Sequence, residues 1–236
     1  MFQVEAAGFA HSFTEPFEVR LDAQPVRLFV RLDQGGTIDG VVIGDDAKPI
    51  AGASVYTMET AYVYTSPMSR RAMDSVGTMT ASKATTGADG TFSLPLLHPG
   101  RYFLGISHAR YTDTSYGPLD LRNGEVLKTE PIAMQYGSRI SGTVRHTQAS
   151  PMPVVVSVCA IDSGGSRSLF YETTAQRDGA FAVDRRLPSG KYAVWAGQRL
   201  RPDPRSPIVP LSNAELILQA RNGEDMLNLV LDSQGK

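Results

Sequence analysis

Apolar and polar side chains alternate along most of this chain, and glycine or proline interrupts the alternation at short intervals. In Asp89-Gly90-Thr91-Phe92-Ser93-Leu94, Phe92 and Leu94 point one way and Thr91 and Ser93 the other. That period of two belongs to a half-buried strand. Asp89-Gly90 before it is a tight-turn signal, because glycine tolerates the positive φ such turns demand. Pro99-Gly100 breaks the chain again, and a second alternating run places Tyr102, Leu104 and Ile106 on one face. The unit reads turn, strand, turn, strand.

The unit occurs twice. Asp178-Gly179-Ala180-Phe181-Ala182-Val183 is followed by Leu187-Pro188-Ser189-Gly190-Lys191-Tyr192-Ala193-Val194, so Gly90 and Gly179 are 89 residues apart and Gly100 and Gly190 are 90 apart. Upstream, Thr37-Ile38-Asp39-Gly40-Val41-Val42 matches Arg139-Ile140-Ser141-Gly142-Thr143-Val144, with an offset of 102 residues. The larger offset implies an insertion in the first copy, and a repeat of this kind decides the architecture. The residues facing inward by this count, Phe92, Leu94, Tyr102, Leu104, Phe181, Val183, Tyr192 and Val194, are expected to be buried.

In the second copy strands are expected near Arg139–Arg145, Val154–Ile161, Leu169–Thr174, Ala180–Val183, Lys191–Ala196, Ala214–Leu218 and Met226–Leu231. No segment sustains a period of 3.6. The reading is all-β: tandem Greek-key β-sandwiches of about seven strands each, with very little helix. The first copy occupies 35–135 and the second, more divergent one 136–236. Residues 1–34 read as the C-terminal part of an incomplete module, with alternation at Phe2, Val4 and Ala6 and strands expected over Phe17–Leu21 and Val26–Leu32. Either the chain is a piece of a longer repeat protein, or Met1 is a true start and the partial module pairs with another chain. The insertion spans Thr57–Lys83, rich in Met, Ser, Thr and Tyr. Extra strand is expected near Ala61–Thr65, and a short helix or loop over Pro67–Val76. An insertion of this length is where a binding function can be added.

The order Gly-x-Val, Pro49-Ile50-Ala51-Gly52-Ala53-Ser54-Val55, Thr86, Asp89-Gly90-x-Phe92 and Pro99-Gly100-x-Tyr102 resembles the carboxypeptidase regulatory-like domain. The resemblance covers 36–134 and, more divergently, 137–232, where Pro151-Met152-Pro153-Val154 stands in place of the Pro-x-x-Gly-Ala segment. It implies a transthyretin-like sandwich, related to Cna-B and carbohydrate-binding-like folds. It also implies a non-catalytic structural or adhesive module of a bacterial secreted or cell-envelope protein, outside the cytoplasm. The alternatives are a carbohydrate-binding module and an accessory domain of a larger peptidase or other enzyme. The implied partners are neighbouring modules of the same longer chain, a glycan or an envelope protein.

Composition narrows this little. The chain has 236 residues and a formal net charge of −1, which argues against nucleic-acid binding through bulk electrostatics. No run of eighteen apolar residues exists to span a membrane as a helix, and the first residues lack the basic and apolar regions of a signal peptide. The lone Cys159 lies in a strand-like run and reads as a small buried apolar residue.

Candidate chemistry is sparse. The four histidines, His11, His98, His108 and His146, have no ligand spacing, and no cofactor or metal is expected. Intradiol dioxygenases are similar in Pro49-Ile50-Ala51-Gly52-Ala53, but the strand that holds their His-x-His reads Gly105-Ile106-Ser107-His108-Ala109-Arg110. There is no Gly-x-Ser-x-Gly elbow, and no Asp-x-Asp-x-Asp-Gly loop around Asp45-Asp46. Hydroxyisourate hydrolase, a transthyretin relative, ends in Tyr-Arg-Gly-Ser, whereas this chain ends Ser233-Gln234-Gly235-Lys236. Cna-B relatives carry a Lys–Asn crosslink, but Thr37–Gly44 and Arg139–Arg145 contain no lysine. The basic residues Arg177, Arg185, Arg186, Lys191, Arg199, Arg201 and Arg205 are either an anion site or a solvated set balanced by Asp178, Asp184 and Asp203. Strand alternation puts Trp195 and Phe103 outward at equivalent positions of the two copies. Trp195, Phe103, Tyr62, Tyr64, Arg199 and Arg201 are therefore the candidate ligand or partner contacts.

Overall fold

A computed structural model of the chain describes residues 3–10, 12–14, 27–58, 82–145, 152–201, 206–211 and 215–232. These form strands and turns, with no helix among them. Two compact units emerge. Among the described residues, the first takes in those up to 58, 82–106 and 114–133, and the second 107–113 and 134–232.

The first unit opens with β1 (Gln3–Val4) and β2 (Ser12–Phe13), which pair antiparallel. Its sandwich consists of β3 (Gly36–Gly44), β4 (Ser54–Met58), β5 (Lys83–Thr85), β6 (Thr91–Leu97), β7 (Gly100–Ser107), β8 (Thr114–Leu121), β9 (Val126–Lys128) and β10 (Ile132–Met134). One sheet has the order β10-β3-β6, with β9 also on β3, and the other the order β5-β4-β7-β8. Ile38, Val42, Phe92, Leu94 and Ile132 from the first sheet are buried, as are Val55, Leu104 and Ile106 from the second.

The second unit contains β11 (Ile140–Arg145), β12 (Val154–Ile161), β13 (Arg167–Thr174), β14 (Ala180–Ala182), β15 (Gly190–Arg199), β16 (Ile208–Pro210), β17 (Leu216–Ala220) and β18 (Met226–Asp232). Its sheets are β14-β11-β18 and β13-β12-β15-β16, with β17 also on β15. They enclose one core, in which Ile140, Val144, Phe181 and Leu231 meet Val156, Val158, Tyr192 and Val194. Strand for strand, the order is that of the first unit. In each unit one of seven positions is split in two, β9 and β10 in the first and β16 and β17 in the second.

The turn that anchors each copy is built the same way. Gly90 and Gly179 have φ of +75° and +86°. Their carbonyls accept the N–H of Val42 at 2.9 Å and of Val144 at 2.8 Å. Asp89 accepts the Thr91 N–H, and Asp178 the Ala180 N–H. A Cβ at Gly90 would fall 2.5 Å from the Val42 carbonyl oxygen, so both conformation and space require glycine. Ten or so residues on, Tyr102 donates its hydroxyl to the His98 carbonyl at 2.6 Å, and Tyr192 to the Pro188 carbonyl at 2.9 Å. Each bond ties a strand to the turn that precedes it.

Some expectations change. Tyr102 is only partly buried, unlike the other seven residues expected inside, because its hydroxyl reaches an exposed carbonyl at the end of the strand. Residues 27–35 contain no strand, although Arg27 and Arg31 fall on one face by strand count and Leu28, Val30 and Leu32 on the other. Alternation extends a chain, but a strand also needs a ladder partner, and none pairs with this segment among the described residues. It is held instead by the Ala10 N–H to the Asp33 carbonyl at 2.9 Å and by the Asp33 carboxylate 3.3 Å from His98 Nε2. Thr57 and Met58 continue β4, and Lys83 begins β5, so both margins of the insertion are strand. The expectations for Ala61–Thr65, Pro67–Val76 and Phe17–Leu21 lie outside the described residues.

Candidate functional site

The outer face of the β13-β12-β15-β17 sheet gathers the polar chemistry of the second unit. Core-facing positions on β15 are Tyr192, Val194 and Ala196, so Ala193, Trp195, Gly197 and Arg199 lie on the other side. On β12 the same face carries Val155, Ser157 and Cys159. The register sets Trp195 opposite Ser157, and Ser157 opposite Glu172 of β13.

Two ion pairs flank Trp195. Arg199 donates to Glu172 at 2.7 Å and to the Ser206 carbonyl at 3.0 Å. Arg167 makes a two-pronged contact with Glu215, at 2.5 and 2.7 Å, a geometry that suits a planar guanidinium. Arg167 is on β13 and Glu215 next to β17, so this pair reaches across β12 and β15. Val155 and Ser157 are accordingly buried although they face away from the core. The Trp195 indole neighbours the Cys159 sulfur on this face. Burial pushes the Cys159 thiol up, while the indole and the Arg167 charge act the other way, so this thiol is a poor nucleophile. The Ser157 hydroxyl is fully enclosed and has no hydrogen-bond partner among the described residues.

Of the candidate contacts, the structure brings Trp195 and Arg199 together on this face. Arg201 is exposed and its backbone N–H donates to Ser206 Oγ at 3.0 Å. Phe103 belongs to the first unit, partly buried, beside Gly117, where an added Cβ would lie 3.1 Å from its ring. Tyr62 and Tyr64 lie outside the described residues. Phe103 and Trp195 are not equivalent. With Tyr102 matched to Tyr192, Phe103 falls on Ala193 and Trp195 on Gly105. The space over Gly105 is filled by the ring of Tyr56 from β4.

Three of the basic residues, Arg185, Arg186 and Arg199, pair with carboxylates other than those nearest in sequence, while Asp203 and Arg205 lie outside the described residues. Arg185 pairs with Asp113 at 3.1 Å, with both side chains under a tenth exposed, and its guanidinium lies 5.5 Å from the Phe170 ring centroid. Arg186 pairs with Asp225 at 2.7 Å. Asp178 is occupied with its own turn and Asp184 with the Tyr171 hydroxyl. Asp113, Asp225, Glu172 and Glu215 carry no sequence signal as acceptors, because topology alone brings them near their arginines. Among the described residues, no three His, Cys, Asp or Glu side chains converge as a metal site, and no helix is long and apolar enough to cross a membrane.

The residues that recur in the two units are thus architectural. Residues 37–135 match the family model of the carboxypeptidase regulatory-like domain, so this stretch of the chain is a domain of that family. No curated protein matches the chain. Solved structures to which the chain is similar include the minor pilin of Streptococcus agalactiae, at 11% identity and a TM-score of 0.37, covering 84% of this chain and 95% of that one. A carbohydrate-binding protein, so described only provisionally, from Bacteroides uniformis is similar at 8% identity and a TM-score of 0.29, covering 79% and 97%. The Bacillus anthracis TIE protein is similar at 13% identity and a TM-score of 0.32, covering 84% of this chain. The chain spans 33% of that protein, and 61% of a streptococcal ancillary pilin it also resembles.

Proposed function

We propose that the chain is a pair of non-catalytic structural modules, 35–135 and 136–236, from a bacterial protein that works at the cell surface or beyond it. One observation carries this reading. What the two copies share is scaffold: the Asp-Gly turns at Gly90 and Gly179, the inward Phe92 and Phe181, and the tyrosine ties of Tyr102 and Tyr192. None of these performs chemistry, and the polar residues outside them differ between copies. Neighbouring modules of the same chain and envelope proteins are the partners this role calls for. A fold by itself leaves function open, so the test must be direct. The purified chain should turn over no peptide, ester or glycoside substrate in a broad hydrolase panel. Saturable turnover lost on a single substitution would overturn the reading.

Carbohydrate binding is the second reading, and the partly exposed Trp195 ring favours it, since an indole offers a large rigid contact surface. Two ion pairs and a thiol already occupy its flanks. Titration with a polysaccharide panel, followed by Trp195 fluorescence, separates the two roles. The structural role expects no shift, whereas a saturable change abolished by Trp195→Ala would put sugar binding first.

A further inference from the structure

The motif around Gly40 and Gly142 recurs in the sequence, yet it makes none of the contacts on the outer face described above. Its place in the fold is on the first strand of each sandwich, where that strand meets the last. β11 pairs in parallel with β18, from Ile140 opposite Met226 to Arg145 opposite Asp232. β3 pairs in parallel with β9, from Thr37 opposite Val126 to Asp39 opposite Lys128, and β10 is bonded to β3 as well. A Cβ on Gly142 would fall 2.7 Å from the Leu229 carbonyl carbon and 2.8 Å from its nitrogen. The glycine therefore lets the two backbones close up.

A parallel first and last strand has a mechanical consequence. The chain enters a module at the start of the first strand and leaves from the far end of the last. Tension on the flanking chain then slides the two strands past each other, and their hydrogen bonds are loaded together. Were force applied at the same end of both strands, the bonds would open one after another. We infer that each module is a tension-bearing unit whose clamp is this parallel pair, β3 with β9 and β11 with β18. The first strands contain no lysine, so no Lys–Asn crosslink relieves the hydrogen bonds of that load. The inference rests on the structural reading of the chain and gives it a specific task.

The test is single-molecule stretching of the full chain in two geometries, which reads the forced-unfolding rate. The turn before β9 lies beside the entry of β3: Gly124 N–H donates to the Gly35 carbonyl at 2.8 Å, and Gly35 N–H to the Asn123 side chain at 3.0 Å. In a Cys159→Ser background, handles on Gln34→Cys and Gln135→Cys load the clamp in shear, and handles on Gln34→Cys and Arg122→Cys peel it. All three handle positions are exposed. In the second module the Asp225 turn lies beside the entry of β11, with Met226 N–H donating to the Arg139 carbonyl at 2.7 Å. Gln135→Cys with a C-terminal handle is the shear geometry there, and Gln135→Cys with Glu224→Cys the peeling one. Unfolding forces several-fold higher in shear than in peeling, in both modules, are expected. Equal forces, or higher ones in peeling, would overturn the clamp. That outcome would leave the non-catalytic reading intact, because the substrate and glycan panels test it separately.

Discussion

The ring of Tyr56 lies across Gly105, where a Cβ would fall 2.7 Å from the tyrosine hydroxyl oxygen. In the second unit the matching pair is Ser157 and Trp195, and the large residue has moved to the other strand. Each outer face holds one bulky aromatic at the same rung, with a small residue opposite to receive it. Gly105→Ala should therefore cost about 1–3 kcal/mol by overpacking. Adding Tyr56→Ser should recover much of that loss, with a coupling of about 1 kcal/mol or more. Additive effects in urea denaturation would show that the ring has room to move.

Ser157 gives the opposite sign. Its hydroxyl is buried without a partner among the described residues, and an unsatisfied polar group costs about 1–3 kcal/mol. Ser157→Ala should raise stability by about 1 kcal/mol, measured by the same denaturation. A loss of that size would mean the hydroxyl is bonded in solution.

The side chains of Asp113 and Arg185 are both under a tenth exposed. Asp113→Ala strands the guanidinium in the interior and should cost about 3–5 kcal/mol, whereas replacing both partners with apolar residues of similar volume should cost far less. The check is a double-mutant cycle by thermal or urea unfolding. If single and double variants lost the same amount, solvent would be reaching the pair.

Burial pushes the Tyr192 phenol up to about 12, against about 10 in an unfolded chain. The folded state holds this proton more tightly, so its contribution is complete below about pH 10 and is lost as pH rises through 12. Stability should therefore fall between these values, and Tyr192→Phe should remove that part of the fall. The variant also leaves the Pro188 carbonyl without its donor, at a cost of about 0.5–1.5 kcal/mol at neutral pH. Urea unfolding at pH 9 and 11 on both proteins measures the difference. An identical pH slope in the two would place the phenol in contact with water.

Local pattern made the scaffold legible. Asp-Gly and Pro-Gly turns specify backbone conformation by themselves, and the period of two assigns Phe92, Leu104, Phe181 and Val194 to the core whatever the rest of the chain does. The repeat offset carried the architecture from one copy to the other, and the run Val154–Ile161 is a strand over its full predicted length. Arg27–Leu32 has the same alternation and is not a strand, because pairing depends on what lies alongside.

What only the tertiary structure decided are the relations between residues distant in sequence. Arg199 finds Glu172 and Arg185 finds Asp113 across strands, since guanidinium groups reach whatever carboxylate the topology brings near. The ladder of β7 with β8 is irregular between Tyr102 and Leu104, with the extra residue on β8, so β7 itself keeps its alternation. The match of Tyr102 to Tyr192 then sets Trp195 on Gly105, with Tyr56 over it. The sequence by itself determined the strands, the turns and their repetition, because those are local properties of the backbone and of side-chain alternation. Which outer-face side chains meet, and that the first and last strands run parallel, depended on register and on strand order, which no single segment encodes.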